Sequence, residues 1–71
     1  MELLLIIAKN LKDLRNQYNF TQKDVAEKIG IKFKTYQAYE LANNMPTFPV
    51  LVKLADLYDV SLDFLAGRKE Y

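Results

Sequence analysis

The side chains most suited to contacting another molecule are concentrated in the stretch IKFKTYQAYE, residues 31–40. At helical spacing Tyr36 and Tyr39 lie three residues apart, so both can face a hydrophobic core. The other side of the same helix then carries Phe33, Lys34, Gln37 and Ala38. These side chains include an aromatic ring and hydrogen-bond donors. The second face therefore points at something other than the core.

The composition argues against catalysis and against a bound metal. The chain has no histidine and no cysteine, which removes the commonest general base and the thiolate ligands of metal sites. An enzyme would need a carboxylate pair or a lysine in a cleft. The acidic residues of the C-terminal half form no recognisable pair, and 71 residues leave little room for a substrate pocket. We expect no enzymatic activity, no cofactor, no metal site and no small-molecule substrate.

Length and composition predict a single domain, spanning residues 1–71, with a modest core. Hydrophobic residues make up 51% of the chain, which has only 2 glycines and 2 prolines; this is typical of a compact helical protein. The net charge is only +1, although seven of the ten basic residues lie among the first 40. The apolar run at residues 3–8 is too short to span a membrane, and Glu2 stands where a signal peptide would carry Lys or Arg. We expect a cytoplasmic protein without a membrane partner.

Periodicity and capping residues predict five short helices and no strand. The predicted N-caps of the second, fourth and fifth helices are Thr21, Thr47 and Ser61. Gly30 and Gly67 are expected to end the second and fifth helices. The apolar stripe of the first helix begins at Leu4 and continues with Ile7, Leu11, Leu14 and Tyr18.

The second and third helices are joined by a very short turn, Gly30-Ile31-Lys32. A turn this short, with a glycine at its start, brings two helices together at a steep angle and holds the second helix outward on the first. This is the geometry of a helix-turn-helix, whose second helix fits the major groove of duplex DNA.

The chain resembles the phage-repressor and Cro-like family of helix-turn-helix regulators from roughly Leu11 to Gly67. The resemblance rests on the segments LKDLRNQYNFTQKDVAEKIGI, TYQAYE and NNMPTFPVLVKLADLYDVSLDFLAG and on their spacing. It implies an all-α, compact five-helix fold of the lambda-repressor type. It also implies a sequence-specific regulator of transcription that binds double-stranded DNA and represses by occupying an operator.

By this resemblance, one set of residues is expected to read bases and another to contact the DNA backbone. The expected base-reading residues are Phe33, Lys34, Gln37 and Ala38. The expected phosphate contacts are Gln22, Lys23, Lys32, Asn43, Asn44 and Thr47. The resemblance also implies a buried ion pair between Arg15 and Glu40, which would tie the first helix to the third.

Three positions depart from the family pattern. Lys32 fills the turn position usually held by Ser or Thr and offers no capping oxygen, which makes more sense if a phosphate lies nearby. Phe33 is aromatic where base-reading residues are often small or polar, and its ring suits contact with a thymine methyl group. Ala42 replaces the glycine common after the third helix, so we expect Asn43 to adopt the left-handed conformation.

Two questions stay open at the level of sequence. The same fold could serve as a protein-interaction module, an antitoxin or an adaptor, with the third helix facing a protein. A homodimer on a palindromic operator is expected, because one recognition helix reads only a few base pairs. Its interface would use either the spare apolar surface of the first helix, at Leu3, Leu5 and Ile6, or the fifth helix around Phe64 and Leu65.

Overall fold

The computed structural model describes residues 2–70, so the two ends of the predicted domain, Met1 and Tyr71, lie outside the described residues. Residues 2–70 form five helices and no strand: α1 (Glu2–Gln17), α2 (Gln22–Ile29), α3 (Phe33–Glu40), α4 (Phe48–Tyr58) and α5 (Leu62–Leu65). The all-α, five-helix fold predicted from the sequence is confirmed. None of these helices has the length and apolar character needed to cross a bilayer.

The predicted N-caps occupy their expected positions. Thr21 Oγ1 accepts a hydrogen bond from the Asp24 N–H at 3.0 Å, and the Asp24 carboxylate accepts one from the Thr21 N–H at 2.9 Å. These two reciprocal bonds form a capping box at the start of α2. Ser61 Oγ accepts from the Phe64 N–H at 2.9 Å, and Thr47 is the N-cap of α4. Side-chain oxygens therefore set where α2, α4 and α5 begin.

Each helix in the described range is followed by a residue in the left-handed conformation. Gly30 and Gly67, both at φ +75°, are the two glycines predicted for this role. Asn19, Ala42 and Asp59 adopt the same conformation, with φ of 58°, 60° and 54°. Of these three, alanine has the least intrinsic tolerance for positive φ, because it has no polar side chain to bond locally.

The prediction that Asn43 would take the left-handed position after α3 is wrong, because Ala42 takes it. The Ala42 N–H donates to the Tyr39 carbonyl at 3.2 Å, and the Asn43 N–H donates to the Ala38 carbonyl at 2.9 Å. These are the two hydrogen bonds of a Schellman motif, which satisfies the last carbonyls of a helix. The motif fixes the left-handed residue by its place in the hydrogen-bond pattern, whatever its side chain.

The stripe predicted for the first helix is confirmed at Ile7, Leu11 and Leu14, which are buried. Its last member is a correction, since α1 ends at Gln17 and Tyr18 is 44% exposed. The Tyr18 ring packs edge-on against Tyr58, with centroids 5.1 Å apart, and its hydroxyl donates to the Tyr58 carbonyl at 2.9 Å. Tyr18 therefore joins the chain after α1 to the end of α4.

Helix α5 is a single turn that is anchored to α1. Asn10 Nδ2 donates to the carbonyl oxygens of Phe64 and Leu65, at 3.2 and 3.1 Å. Leu65 is only 1% exposed and belongs to the core, while Phe64 is partly buried against it. Leu65, which the sequence offered as interface surface, therefore lies almost entirely in the core of a single copy.

Candidate nucleic-acid interface

Helices α2 and α3 pack against each other across the predicted turn. Gly30, in the left-handed conformation, ends α2, and Ile31 packs against the core. Lys32 is the N-cap of α3 and makes no side-chain capping hydrogen bond. The short turn and the inward Ile31 together hold α3 on the surface of the domain, as a helix-turn-helix requires.

The two sides of α3 have different environments. Tyr36 is fully buried and Tyr39 is 6% exposed, and their rings meet edge-on with centroids 6.3 Å apart. On the other side, Phe33 is 43% exposed and Lys34 is exposed, while Gln37 and Ala38 are half-buried. The sequence therefore predicted correctly which side of α3 faces the core. Phe33, an apolar side chain left in water, is free to meet a partner.

The candidate phosphate-contacting residues lie at the start of α2, in the turn just before α3 and in the loop between α3 and α4. Those with exposed side chains are Lys23, Lys32, Asn43, Asn44 and Thr47. Gln22 differs from them, because it is half-buried and its Nε2 donates to Glu40 Oε1 at 3.1 Å. The start of α2 is thereby fixed against the end of α3.

Glu40 is the centre of a hydrogen-bonded cluster, which we call the Glu40 cluster and which also contains Arg15, Tyr36 and Gln22. Arg15 Nε lies 2.7 Å from Glu40 Oε2 and Arg15 Nη2 lies 3.0 Å from Oε1, so the guanidinium binds both carboxylate oxygens. The Tyr36 hydroxyl also donates to Oε2. Arg15 Nη1 donates to the Phe20 carbonyl at 3.0 Å. The ion pair implied by the family resemblance is present and joins α1 to α3. The other bonds of the cluster attach α2, through Gln22, and the segment that follows α1, through Phe20.

Burial and hydrogen bonding shift the pKa values in the Glu40 cluster. Burial by itself would raise the pKa of the Glu40 carboxyl, but hydrogen bonds from Arg15, Tyr36 and Gln22 outweigh it and lower that pKa. The hydrogen bond to Glu40 raises the pKa of the Arg15 guanidinium. Burial, with the hydrogen bond to Glu40, raises the pKa of the Tyr36 hydroxyl. At neutral pH the cluster is therefore an ionised pair with a neutral tyrosine.

The contact between Gln22 and Glu40 was not predicted from the sequence. The two residues are 18 positions apart and lie on different helices. No local pattern marks such a pair, because it depends on the angle at which α2 and α3 cross. The bonds from Asn10 to the end of α5, across 54 and 55 positions, were also missed, because they depend on how α1 and α5 pack.

The turn-linked helices α2 and α3, with a buried tyrosine side and an exposed outer side, define a helix-turn-helix domain. A family model described as helix-turn-helix matches residues 11–65. The chain belongs to this family, and within it to the phage-repressor and Cro-like type.

Several curated proteins are similar to this chain. It is 40% identical over 60 residues to the uncharacterized HTH-type transcriptional regulator YqaE of Bacillus subtilis (strain 168), covering 84% of this chain and 52% of YqaE. It is 40% identical over 62 residues to the cryptic phage CTXphi transcriptional repressor RstR of Vibrio cholerae serotype O1, covering 87% and 55%. For the HTH-type transcriptional regulator ImmR of Bacillus subtilis (strain 168) the identity is 39% over 64 residues, covering 90% and 50%. The chain therefore spans about half the length of these relatives. No solved structure matches it.

Proposed function

We propose that this chain is a cytoplasmic, sequence-specific, double-stranded-DNA-binding regulator of transcription that represses by occupying its operator. The observation that carries the proposal is the division of α3 into a buried tyrosine side and an exposed side with Phe33 and Lys34. The names of RstR, a transcriptional repressor, and ImmR, a transcriptional regulator, support it. Occupancy of an operator requires no catalysed reaction and no cofactor.

The dimensions of α3 suit the proposed binding mode. With its side chains an α-helix is about 10–12 Å in diameter, which fits the major groove, about 12 Å wide. Lys34 and Gln37 lie one turn apart on the outer side, where a lysine can bind guanine and a glutamine can bind adenine. Lys23 lies at the start of α2, where a lysine can bind a phosphate without reading sequence.

The experiment begins with selection of binding sites from random duplexes, followed by fluorescence anisotropy on single-base variants of the selected operator. Lys34→Ala and Gln37→Ala should each lose roughly 1–3 kcal/mol on the operator and relax the preference at one base pair. Lys23→Ala is the matched control, because it removes a cation outside α3. It should weaken binding to operator and unrelated duplex by a similar factor.

Equal factors for Lys34→Ala and Lys23→Ala on every duplex would contradict sequence reading by α3. The same fold acting as a protein-interaction or antitoxin module would then be the better explanation. Failure to select any duplex from the random pool would refute DNA binding itself.

We further propose that the chain binds a palindromic operator as a homodimer, with half-sites about one helical turn, or roughly 34 Å, apart. One continuous groove is lined by apolar side chains, which come from the start of α1, from the loop before α4, from α4 itself and from α5. Its exposed members are Leu3, Met45, Phe48 and Leu62, of which Phe48 is 67% exposed. Leu3 on α1 and Leu65 on α5 belong to the two surfaces that the sequence offered as alternatives, and both line the groove, whereas Phe64 does not. Ile6, the third residue proposed on α1, is half-buried and lies beside Gly67.

A second copy of this chain is the occupant that the charges at the groove favour. Asp63 and Arg68 also line the groove, with Arg68 Nε 3.8 Å from Asp63 Oδ1; the Arg68 side chain is 78% exposed and the Asp63 side chain 47%. A two-fold interface brings the same patch of both subunits together, so a groove with charges of both signs can pair with its own copy. The apolar side chains and the two charges are thus self-complementary.

Phe48→Glu tests this interface, because it places a charge in the groove while a glutamate at the start of α4 remains favourable for the helix. Leu5→Glu is the matched control, since Leu5 is 61% exposed on α1 but does not line the groove. We expect sedimentation to show that Phe48→Glu weakens the dimer and Leu5→Glu does not. A native protein that sediments as a monomer both free and on a palindromic operator would contradict the proposal.

A further inference from the structure

The carboxamide of Gln22 is held in place before any ligand binds. Its Nε2 donates to Glu40 Oε1 at 3.1 Å, and the residue is half-buried. An ionised carboxylate only accepts hydrogen bonds, so the nitrogen of the carboxamide, and not its oxygen, must face Glu40. Nε2 carries two N–H groups, and the second remains available to another acceptor.

The carboxylate that holds Gln22 is itself rigid. Arg15 binds both of its oxygens, at 2.7 and 3.0 Å, and Tyr36 donates to one of them. The Glu40 side chain is only 3% exposed, and Tyr36 is fully buried. Arg15 is fixed in turn by its bond to the Phe20 carbonyl. The position of Oε1 is thus set by the fold and is available as a fixed support for Gln22.

We propose that Glu40 is a positioning residue for DNA binding, which holds the Gln22 carboxamide in the rotamer that reaches a backbone phosphate. A free glutamine side chain loses rotamer freedom when it binds, and this cost reduces affinity. With Glu40 in place, that ordering occurs when the protein folds. This inference rests on the proposed function, because it takes the acceptor of the second N–H to be a phosphate of duplex DNA.

A thermodynamic cycle on duplex affinity tests the proposal. Gln22→Ala is made in the native chain and in the R15M/E40L background, which removes the carboxylate without leaving a charge buried. In the native chain we expect Gln22→Ala to weaken binding roughly tenfold, as for loss of a hydrogen bond to a charged group. In the R15M/E40L background the same change should have an effect of less than twofold, because an unsupported Gln22 contributes little. Affinities are measured by anisotropy at a temperature where circular dichroism shows each variant to be folded.

Lys23→Ala is the matched control, because Lys23 is adjacent on α2 and makes no contact with Glu40. It should weaken binding by the same factor in both backgrounds. If R15M/E40L does not fold, Glu40→Asp carries the same cycle, since it keeps the negative charge and withdraws the carboxylate from Gln22.

Three outcomes would overturn the inference. If Gln22→Ala weakens binding equally in both backgrounds, Glu40 stabilises the fold but does not position Gln22. If Gln22→Ala leaves affinity unchanged in the native chain, Gln22 makes no phosphate contact, although DNA binding itself stands. If the native chain binds no duplex, the proposed function fails and the inference fails with it.

Discussion

Replacing Arg15 with methionine should remove a large part of the stability of this domain. The change leaves the Glu40 carboxylate, whose side chain is 3% exposed, without its cationic partner. Breaking a buried pair from one side costs roughly 3–5 kcal/mol. Because the Arg15 side chain is 14% exposed, we expect the lower end, about 3 kcal/mol. A domain of 71 residues has a total free energy of unfolding of about 4–10 kcal/mol.

The double variant R15M/E40L should recover part of this loss, since replacing both charges with apolar side chains can be nearly neutral. Recovery should be incomplete, because the fully buried Tyr36 hydroxyl then lacks its acceptor, at a cost of about 1–3 kcal/mol. Adding Tyr36→Phe to the double variant should restore more stability by removing that hydroxyl. Urea unfolding followed by circular dichroism measures each step, with a slope of about 1 kcal/mol per molar urea for a protein this small. Additive losses from Arg15→Met and Glu40→Leu would refute the reasoning, because they would show that the two charges do not depend on each other.

Further predictions concern acid stability, the end of α3 and the exposed aromatic ring. Because folding lowers the Glu40 pKa below its ordinary value of 4.5, the carboxylate contributes stability above pH 4.5 that is lost as the pH falls through the folded-state pKa. When the pH is lowered from neutral through the folded-state pKa of Glu40, the urea midpoint should therefore fall less in R15M/E40L than in the native chain. An equal fall would contradict this assignment. Ala42→Gly should raise the free energy of unfolding by about 1 kcal/mol. The substitution removes the cost of a left-handed alanine, about 1–2 kcal/mol, but glycine also gives the unfolded chain more conformational freedom, which offsets part of this stabilisation. The control Ala66→Gly, at φ −81°, should be destabilised instead, and stabilisation of both variants would point to another cause. Phe33→Ala should weaken operator binding, and by a smaller factor when the thymine beneath the ring is replaced by uracil; anisotropy giving the same factor on both operators would exclude a methyl contact.

Local signals account for the parts of the fold that the sequence predicted. Thr21 and Asp24 form a capping box at fixed spacing, and Gly30 offers the left-handed conformation at no steric cost, so each can be recognised without the rest of the chain. Ala42 carries no such signal. It is left-handed because of the bonds that close α3, and residue preference alone pointed to its neighbour Asn43.

The same distinction explains what could be predicted of the candidate site. Tyr36 and Tyr39 are three residues apart on one helix, which is enough to orient the whole of α3. Leu65 lies in a four-residue helix, which is too short for periodicity to separate its inner side from its outer side. The bond between Gln22 and Glu40 depends on how two helices cross, so it follows from tertiary packing alone.

The brevity of α3 links the fold of this domain to its proposed function. An isolated helix of eight residues is unstable in water, because nucleation is not repaid over so few turns. Its stability and direction must come from the burial of Tyr36 and Tyr39 and from the Glu40 cluster. The outer residues Phe33 and Lys34 belong to neither, so we expect substitutions there to change the stability of the fold little. In this arrangement the inner side of α3 determines where the helix lies, and the outer side is left available for the proposed reading of DNA sequence.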